Sequence, residues 1–392
     1  MKSIGTVVRG IRTPIIKSGD DLESIVVDSL LNAQKEEGFE FRDKDIIGIT
    51  EAVVGIATSN YATVDDIATD IRNKYPDGNI GLVFPILSRN RFALILKGIA
   101  RGAKKLTLLL SYPSDEVGND ILDKEKLNNY DVKNGVITYQ EYKNNFNDFK
   151  HLFTGINMVN FYKDLVTEEN CEIDFVFSNN PRAIIEYTKN ILVCDIHSRF
   201  STFDALKNKV NQIYKLTDIL SESINGSGFN KEYGLLGSNR ATEEKLKLFP
   251  NNCQHIVDNI QNKLLEKTGK KIEALVYGDG AFKDPIGGIW ELADPVVSPF
   301  YTDGLKGSPN ELKLKYLADN KFDHLSGDEL NNKIKEEIKN KNSNLKGTIE
   351  TQGTTPRRYI DLIGSLCDLT SGSGDKGTPV VYISGYFDNY AD

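Results

Sequence analysis

Cysteine is scarce in this chain of 392 residues, and the four present, Cys171, Cys194, Cys253 and Cys367, are scattered without a CxxC pair. That spacing fits neither a zinc module nor a disulfide framework, so buried, reduced thiols are expected. Histidine is equally rare, also four residues, and no Ser/His/Asp arrangement can be read from its spacing. Cys194 and His197 stand as far apart as two metal ligands, but no second pair follows, which favours a buried thiol beside a strand-end histidine. No stretch approaches the roughly 18 uninterrupted apolar residues of a membrane span. The opening MKSIGTVVRGIRTP also lacks the apolar run of a signal peptide. A soluble, cytoplasmic protein with no membrane partner is therefore expected. Positive charge is in deficit, 48 Lys+Arg against 56 Asp+Glu for a net charge of -8. The whole molecule repels a polyphosphate backbone, which argues against nucleic acid as a partner while leaving room for a local basic site.

What is present is a long chain with alternating texture, and its length predicts two or three folding units. Ile4 to Val8 reads as a strand, Leu22 to about Ala33 as a helix and Asp45 to Ile49 as a second strand ending at Thr50 and Glu51. Thr63 and Asp66 take capping-box positions at the head of a further helix. From Asn79 the order becomes strand, helix, strand: IGLVFPI, RNRFALILKGIARGA, KKLTLLLSYPSDEVGN. It returns in EIDFVFSNNPRAIIEYTKNILVCDIHS, where Asn180 and Pro181 start a helix. Such alternation predicts parallel strands, with ligands beyond their carboxyl ends, where the tips SRNR and SYPSDE lie. Asp123 to Asn170 is rich in Asn, Lys, Tyr and Phe without a strong period and reads as a mixed insertion. After Asn225, GSGFNKEYGLLGSNRAT leads to a helix from Cys253 to Lys267 and the strand EALVYGDGA, whose end carries Asp279. Ser326 and Glu329 stand as the capping box of a charged, solvated helix. The chain then closes with helix YIDLIGSLCDL, loop TSGSGDKGT and strand PVVYIS.

Four stretches, in order, resemble the coenzyme F-420 gamma-glutamyl ligase family. GIRTPIIKSGDDL is similar to the family's opening turn, whose backbone helps hold the guanine nucleotide. GLLGSNRATEEKLKLFP resembles the segment carrying a metal-binding aspartate. KLLEKTGKKIEALVYGDGAFKDPIGG has the layout of the helix, strand and Asp-rich turn that supply further ligands. TSGSGDKGTPVVYISG looks like the loop and strand that pass over the phosphates. The middle is unmatched, which implies an α/β fold with a ligase-like core, residues 1–78 and 225–392, and an inserted α/β unit, residues 79–224. The resemblance also implies a homodimer.

Such a family activates a carboxylate by phosphoryl transfer from a nucleotide, after which the amine of L-glutamate displaces phosphate from the acyl phosphate. That chemistry calls for hard oxygen ligands around Mg2+ or Mn2+. The resemblance implies Asp279 as the leading ligand and catalytic residue, with Asn239 and Glu51 beside it and Lys283 as a point cation on the phosphate. GTP or ATP would be held by Pro14, Ile15, Lys17, Thr50, Glu51, Thr242, Gly372, Gly374 and Asp375, with backbone N–H groups of Ser371 to Gly377 forming an anion nest. Arg89 and Arg91, at a helix start, are candidates for an anionic group of a pterin-like, deazaflavin-like or folate-like acceptor, against the plainer reading as a pair of solvated arginines. Three departures from the family stand out. Asn239 replaces an aspartate, Gly280 replaces a hydroxyl residue, and GIATSN lacks the lysine expected after the second strand. They admit a rival on the same fold, a nucleotide- or metabolite-binding protein without turnover. Another rival makes the middle unit the working part and the ends its scaffold.

Overall fold

The computed structural model describes residues 3–152, 154–280, 294–351, 357–372 and 374–391. Two mixed sheets and a small antiparallel one organise them, which makes the fold α/β. The core sheet has the order β1-β14-β2-β12-β13. Its strands are β1 (Val7–Ile11), β2 (Ile46–Thr50), β12 (Glu273–Tyr277), β13 (Phe300–Tyr301) and β14 (Val380–Ser384). Only β2 and β12 run parallel, in the register Tyr277 opposite Thr50, while β14 runs antiparallel to both of its neighbours, β1 and β2.

These strands read as continuous apolar runs because both faces of the sheet are covered. Ile47, Ile49, Ala274 and Val276 pack against Val26, Val27 and Leu30 of the helix Leu22–Glu37 and against Ile256, Val257 and Ile260 of the helix Gln254–Thr268. On the other face Ile46, Leu275 and Tyr277 meet Ile360, Ile363 and Cys367 of the helix Tyr359–Thr370.

The second sheet contains β4 (Asn79–Val83), β5 (Lys105–Leu110), β6 (Ile137–Thr138), β7 (Glu172–Phe177), β8 (Asn190–Val193) and β9 (Gln212–Lys215), in the order β6-β7-β5-β4-β8-β9. All neighbours are parallel except the edge pair β6–β7. The chain therefore builds outward from β4 through β5 to β7, then reverses to β8 and β9. The crevice of such a doubly wound sheet opens at that reversal, beyond the carboxyl ends of β4 and β8. The segment Ser88–Arg91 leaves β4 at this point and enters the helix Phe92–Gly102.

The helix Val64–Lys74, expected with the N-terminal segment, packs its buried Val64, Ile67 and Ile71 into the cluster beneath this second sheet. Its predicted capping box forms, with Thr63 and Asp66 bonded reciprocally. The one predicted at Ser326 does not: no side-chain bond caps the helix Gly327–Asn340. The stretch after Asn180 is a short 3-10 helix, Pro181–Glu186, rather than a full crossover helix. A third, antiparallel sheet has the order β10-β11-β3 and sets β10 (Asn239–Arg240) and β11 (Lys245–Lys247) beside β3 (Tyr61–Thr63). All four cysteines are buried and free. Among the described residues no helix is long and apolar enough to cross a membrane.

Asp45, just before β2, is 2% exposed and receives the Tyr382 hydroxyl and the Arg42 N–H. Burial, which penalises the ionised form, raises its carboxyl above the ordinary value although those hydrogen bonds and Arg42 pull it down. The folded protein thus keeps this proton longer than the unfolded chain, so the stability contributed at low pH is lost as pH climbs through the folded value. Asp45→Asn keeps an acceptor for Tyr382 and cannot ionise. Its melting temperature relative to the parent is expected to rise as pH climbs above the ordinary aspartate value of about 3.9; a flat or falling difference contradicts the assignment.

Candidate active site

The parallel register of β2 and β12 decides where the site lies. With Tyr277 opposite Thr50, the residues that follow, Glu51 on one strand and Gly278 with Asp279 on the other, emerge side by side. Glu51 opens the helix Glu51–Ala57 and is 4% exposed. Asp279 is braced by its backbone, donating its N–H to Asp294 Oδ2 at 2.7 Å, while the Gly280 N–H reaches Asp368 Oδ2 at 2.8 Å. Glycine is required on both sides of Asp279 for closeness. A methyl at Gly278 would overlap the Asp294 carboxylate, and one at Gly280 would lie 2.9 Å from Ser365 Cα. Gly280, where the resemblance implies a hydroxyl residue, therefore makes room for the helix carrying Asp368.

Arg91 enters this crevice from the second sheet. Its Nη2 lies 2.5 Å from Asp279 Oδ2 and its Nη1 lies 2.7 Å from Asp294 Oδ1, with the arginine side chain 16% exposed and that of Asp294 1%. The plain reading of Arg91 as a solvated arginine fails, because both arms of the guanidinium are held by carboxylates. Arg89, two residues earlier, is exposed and lines a cavity of about 710 Å3 together with Leu94, Phe161, Leu165 and Arg240. The Arg240 N–H donates to Asn90 O at 2.9 Å, which fastens that cavity to the Arg91 loop.

Electrostatics in the crevice follow from burial. Glu51 is pushed well above the usual carboxylate range, first by desolvation and then by Asp294, against the opposing pull of Lys247 and Arg91. Among the described residues its Oε2 has no hydrogen-bond partner. Lys247, on β11 and 9% exposed, is lowered by burial while Glu51 and Asp294 support its charge. Arg91 loses by desolvation and gains more from Asp294, Asp279 and Glu51, so it stays above its ordinary value. Asp368 is raised by burial.

The other sequence candidates fall at the same sheet end or near it. Pairing of β1 with β14 brings the opening turn beside the C-terminal loop, where Arg12 Nε donates to Lys376 O at 3.3 Å. In that turn the Lys17 N–H bonds Asp20, Pro14 accepts from the Thr13 hydroxyl, and Ile15 is 88% exposed. Thr50 donates its N–H to Pro379 O at 3.0 Å. The expected anion nest is curtailed at its start, since the Ser371 N–H bonds Cys367 O and the Gly372 N–H bonds the Thr378 hydroxyl. Gly374 and Asp375 lie beyond these bonds. Asn239 pairs across strands with Lys247, which places it next to the crevice. Thr242 sits in the β10–β11 hairpin with its N–H on Lys245 O. Lys283 lies outside the described residues.

Sequence reading missed Asp294, Asp368 and Lys247. Only Asp368 left a signal, an acid next to the core side of an apolar helix and directly before the glycine-rich loop. Among the described residues no three acidic, cysteine or histidine side chains stand ready to hold a metal ion, and Arg91 is interposed between two of the acids. The donor chemistry nevertheless fits a hard cation, because the orphaned Glu51 oxygen is buried near two further carboxylates, Asp294 and Asp279. Gly280→Thr, which restores the hydroxyl, is expected to cost about 1–3 kcal/mol by overpacking; an unchanged urea midpoint would show that the helix carrying Asp368 can retreat.

The family model described as F420-0:Gamma-glutamyl ligase matches residues 10–385, so the middle stretch, residues 79–224, expected to be unmatched, lies within the match. Compared with the curated proteins, the chain matches none. The strand-end acids, the opening turn and the glycine-rich loop thus belong to one continuous family match, and the chain is a member of the F420-0:gamma-glutamyl ligase family, a ligase that forms a carbon–nitrogen bond.

Proposed function

We propose that the crevice is the centre of an NTP- and divalent-metal-dependent ligase that joins L-glutamate to a carboxylated, coenzyme-like acceptor through an acyl phosphate. The observation that carries this reading is the emergence of Glu51 and Asp279 from adjacent parallel strands, with the buried Glu51 Oε2 unpartnered among the described residues. Glu51 and Asp279 would hold Mg2+ or Mn2+, with Asn239 as a neutral donor. When bound, the ion supplies the charge that neutralises phosphate oxygens during transfer.

The chain's own residues supply the rest. Lys247 presents a buried ammonium to a transferring phosphoryl group, and the low exposure of the crevice strengthens that attraction. Asp294 and Arg91 fix Asp279 so that little reorganisation is needed. GTP or ATP is assigned to the end of the core sheet that carries the opening turn with Pro14, Ile15 and Lys17, Thr50, and the C-terminal loop with Gly374 and Asp375. The acceptor's body is assigned to the cavity beside Arg89, with Phe161 as an apolar wall. The proposed setting is the cytoplasm and the proposed assembly a homodimer.

A second reading, nucleotide or metabolite binding without turnover, is favoured by one feature: the Arg91 guanidinium already bridges Asp279 and Asp294. Phosphate release with Mg2+, GTP or ATP, L-glutamate and a panel of pterin, deazaflavin and folate acceptors separates the two. The ligase reading expects glutamate- and acceptor-dependent release that drops on the order of 100-fold or more in Asp279→Ala. Nucleotide binding without release in the parent protein supports the binder instead.

A further inference from the structure

We infer that Arg91 takes the place of one divalent cation, so that the crevice binds a single divalent ion per chain instead of a pair. This rests on the metal-dependent reading proposed above and sets its stoichiometry. Phosphoryl-transfer sites often use two ions about 3.5–4 Å apart, bridged by carboxylates. Here the bridging position is filled by the protein. Arg91 does not chelate one acid; each terminal nitrogen goes to a different one, Nη1 to Asp294 and Nη2 to Asp279. A guanidinium cannot lose its charge at any working pH, so it acts as a permanent cation.

Occupancy of the acids points the same way. Asp294 has both oxygens engaged, one by Arg91 and the other by the Asp279 N–H. One oxygen of Asp368 is held by the Gly280 N–H. The buried oxygen left over among the described residues is Glu51 Oε2, on a residue 4% exposed that faces Lys247, Arg91, Asp279 and Asp294. Charge balance agrees. Once a bound cation has displaced the protons that burial favours on Glu51 and Asp368, these two acids with Asp279 and Asp294, set against Arg91 and Lys247, leave two negative charges, which one divalent ion matches and two would overshoot. A second ion would also have to expel a guanidinium from between two carboxylates it has already desolvated, leaving that arginine buried and unpaired.

Arg91 stands at the head of the helix Phe92–Gly102 that follows β4, so the second sheet's layer completes the centre as a positioning element. Mn2+ alone is the probe, titrated into the full-length protein without nucleotide and followed by calorimetry and by loss of the free-ion electron paramagnetic resonance signal. The parent and Arg91→Lys, which keeps the charge, are expected to bind one Mn2+ per chain. Arg91→Met, of similar length and neutral, is expected to bind two, and Glu51→Gln in the parent background is expected to lose the single ion. Two ions in the parent overturn the inference and leave the metal-dependent reading standing, and so does one ion of unchanged affinity in Arg91→Met. No Mn2+ binding by the parent or by either Arg91 variant overturns both.

Discussion

The Arg91 guanidinium is withdrawn from water between Asp279 and Asp294, and a buried charge persists only where opposite charge is already fixed around it. Everything near the crevice serves that condition. Asp294 is oriented by the Asp279 N–H, Asp368 by the Gly280 N–H, and the two glycines flanking Asp279 let both carboxylates approach the backbone. Because Arg91 belongs to one sheet and Asp279 to the other, the two folding units meet through charge at their strand ends. The cost of separating them includes stranding an arginine and two acids without partners.

This arrangement removes a distinction drawn on sequence grounds. Placing the working part either in the ligase-like ends or in the inserted α/β unit assumed that Asp279 and Arg91 report on separate sites. They touch. A measurement on either residue probes the same centre, and the family match across residues 10–385 spans both sheets.

Much of the fold could be read directly. Apolar runs bounded by turn residues marked β2, β4, β5, β12 and β14, and the alternation of strand and helix after Asn79 announced the parallel sheet. Thr63 and Asp66 gave their capping box because that interaction is local. What escaped was long-range. Nothing in LKLFP shows that Lys247 will lie beside Glu51, since that depends on β11 pairing with β3. Nothing in LADP shows that Asp294 will receive the N–H of Asp279. Arg91 looked solvated because a helix start is commonly wet, and only the meeting of two sheets buries it. Ser326 failed as a cap for the converse reason: the pattern was present, but the geometry did not bring the side chain to the orphan N–H groups.

The pairing of β11 with β3 has a mechanical meaning. The outgoing strand, Tyr61–Thr63, and the returning strand, Lys245–Lys247, are zipped antiparallel through three residue pairs. A unit joined by two independent tethers swings about either one, whereas one joined by a bonded ribbon has a fixed dihedral relation to its host. Rotation there must break main-chain hydrogen bonds before any side chain moves. The aim of the Ser88–Arg91 tip is thus governed by a ribbon remote from it in sequence, and insertions or deletions that shift that ribbon by one residue would misdirect the Arg91 tip although the residues of the crevice remain intact.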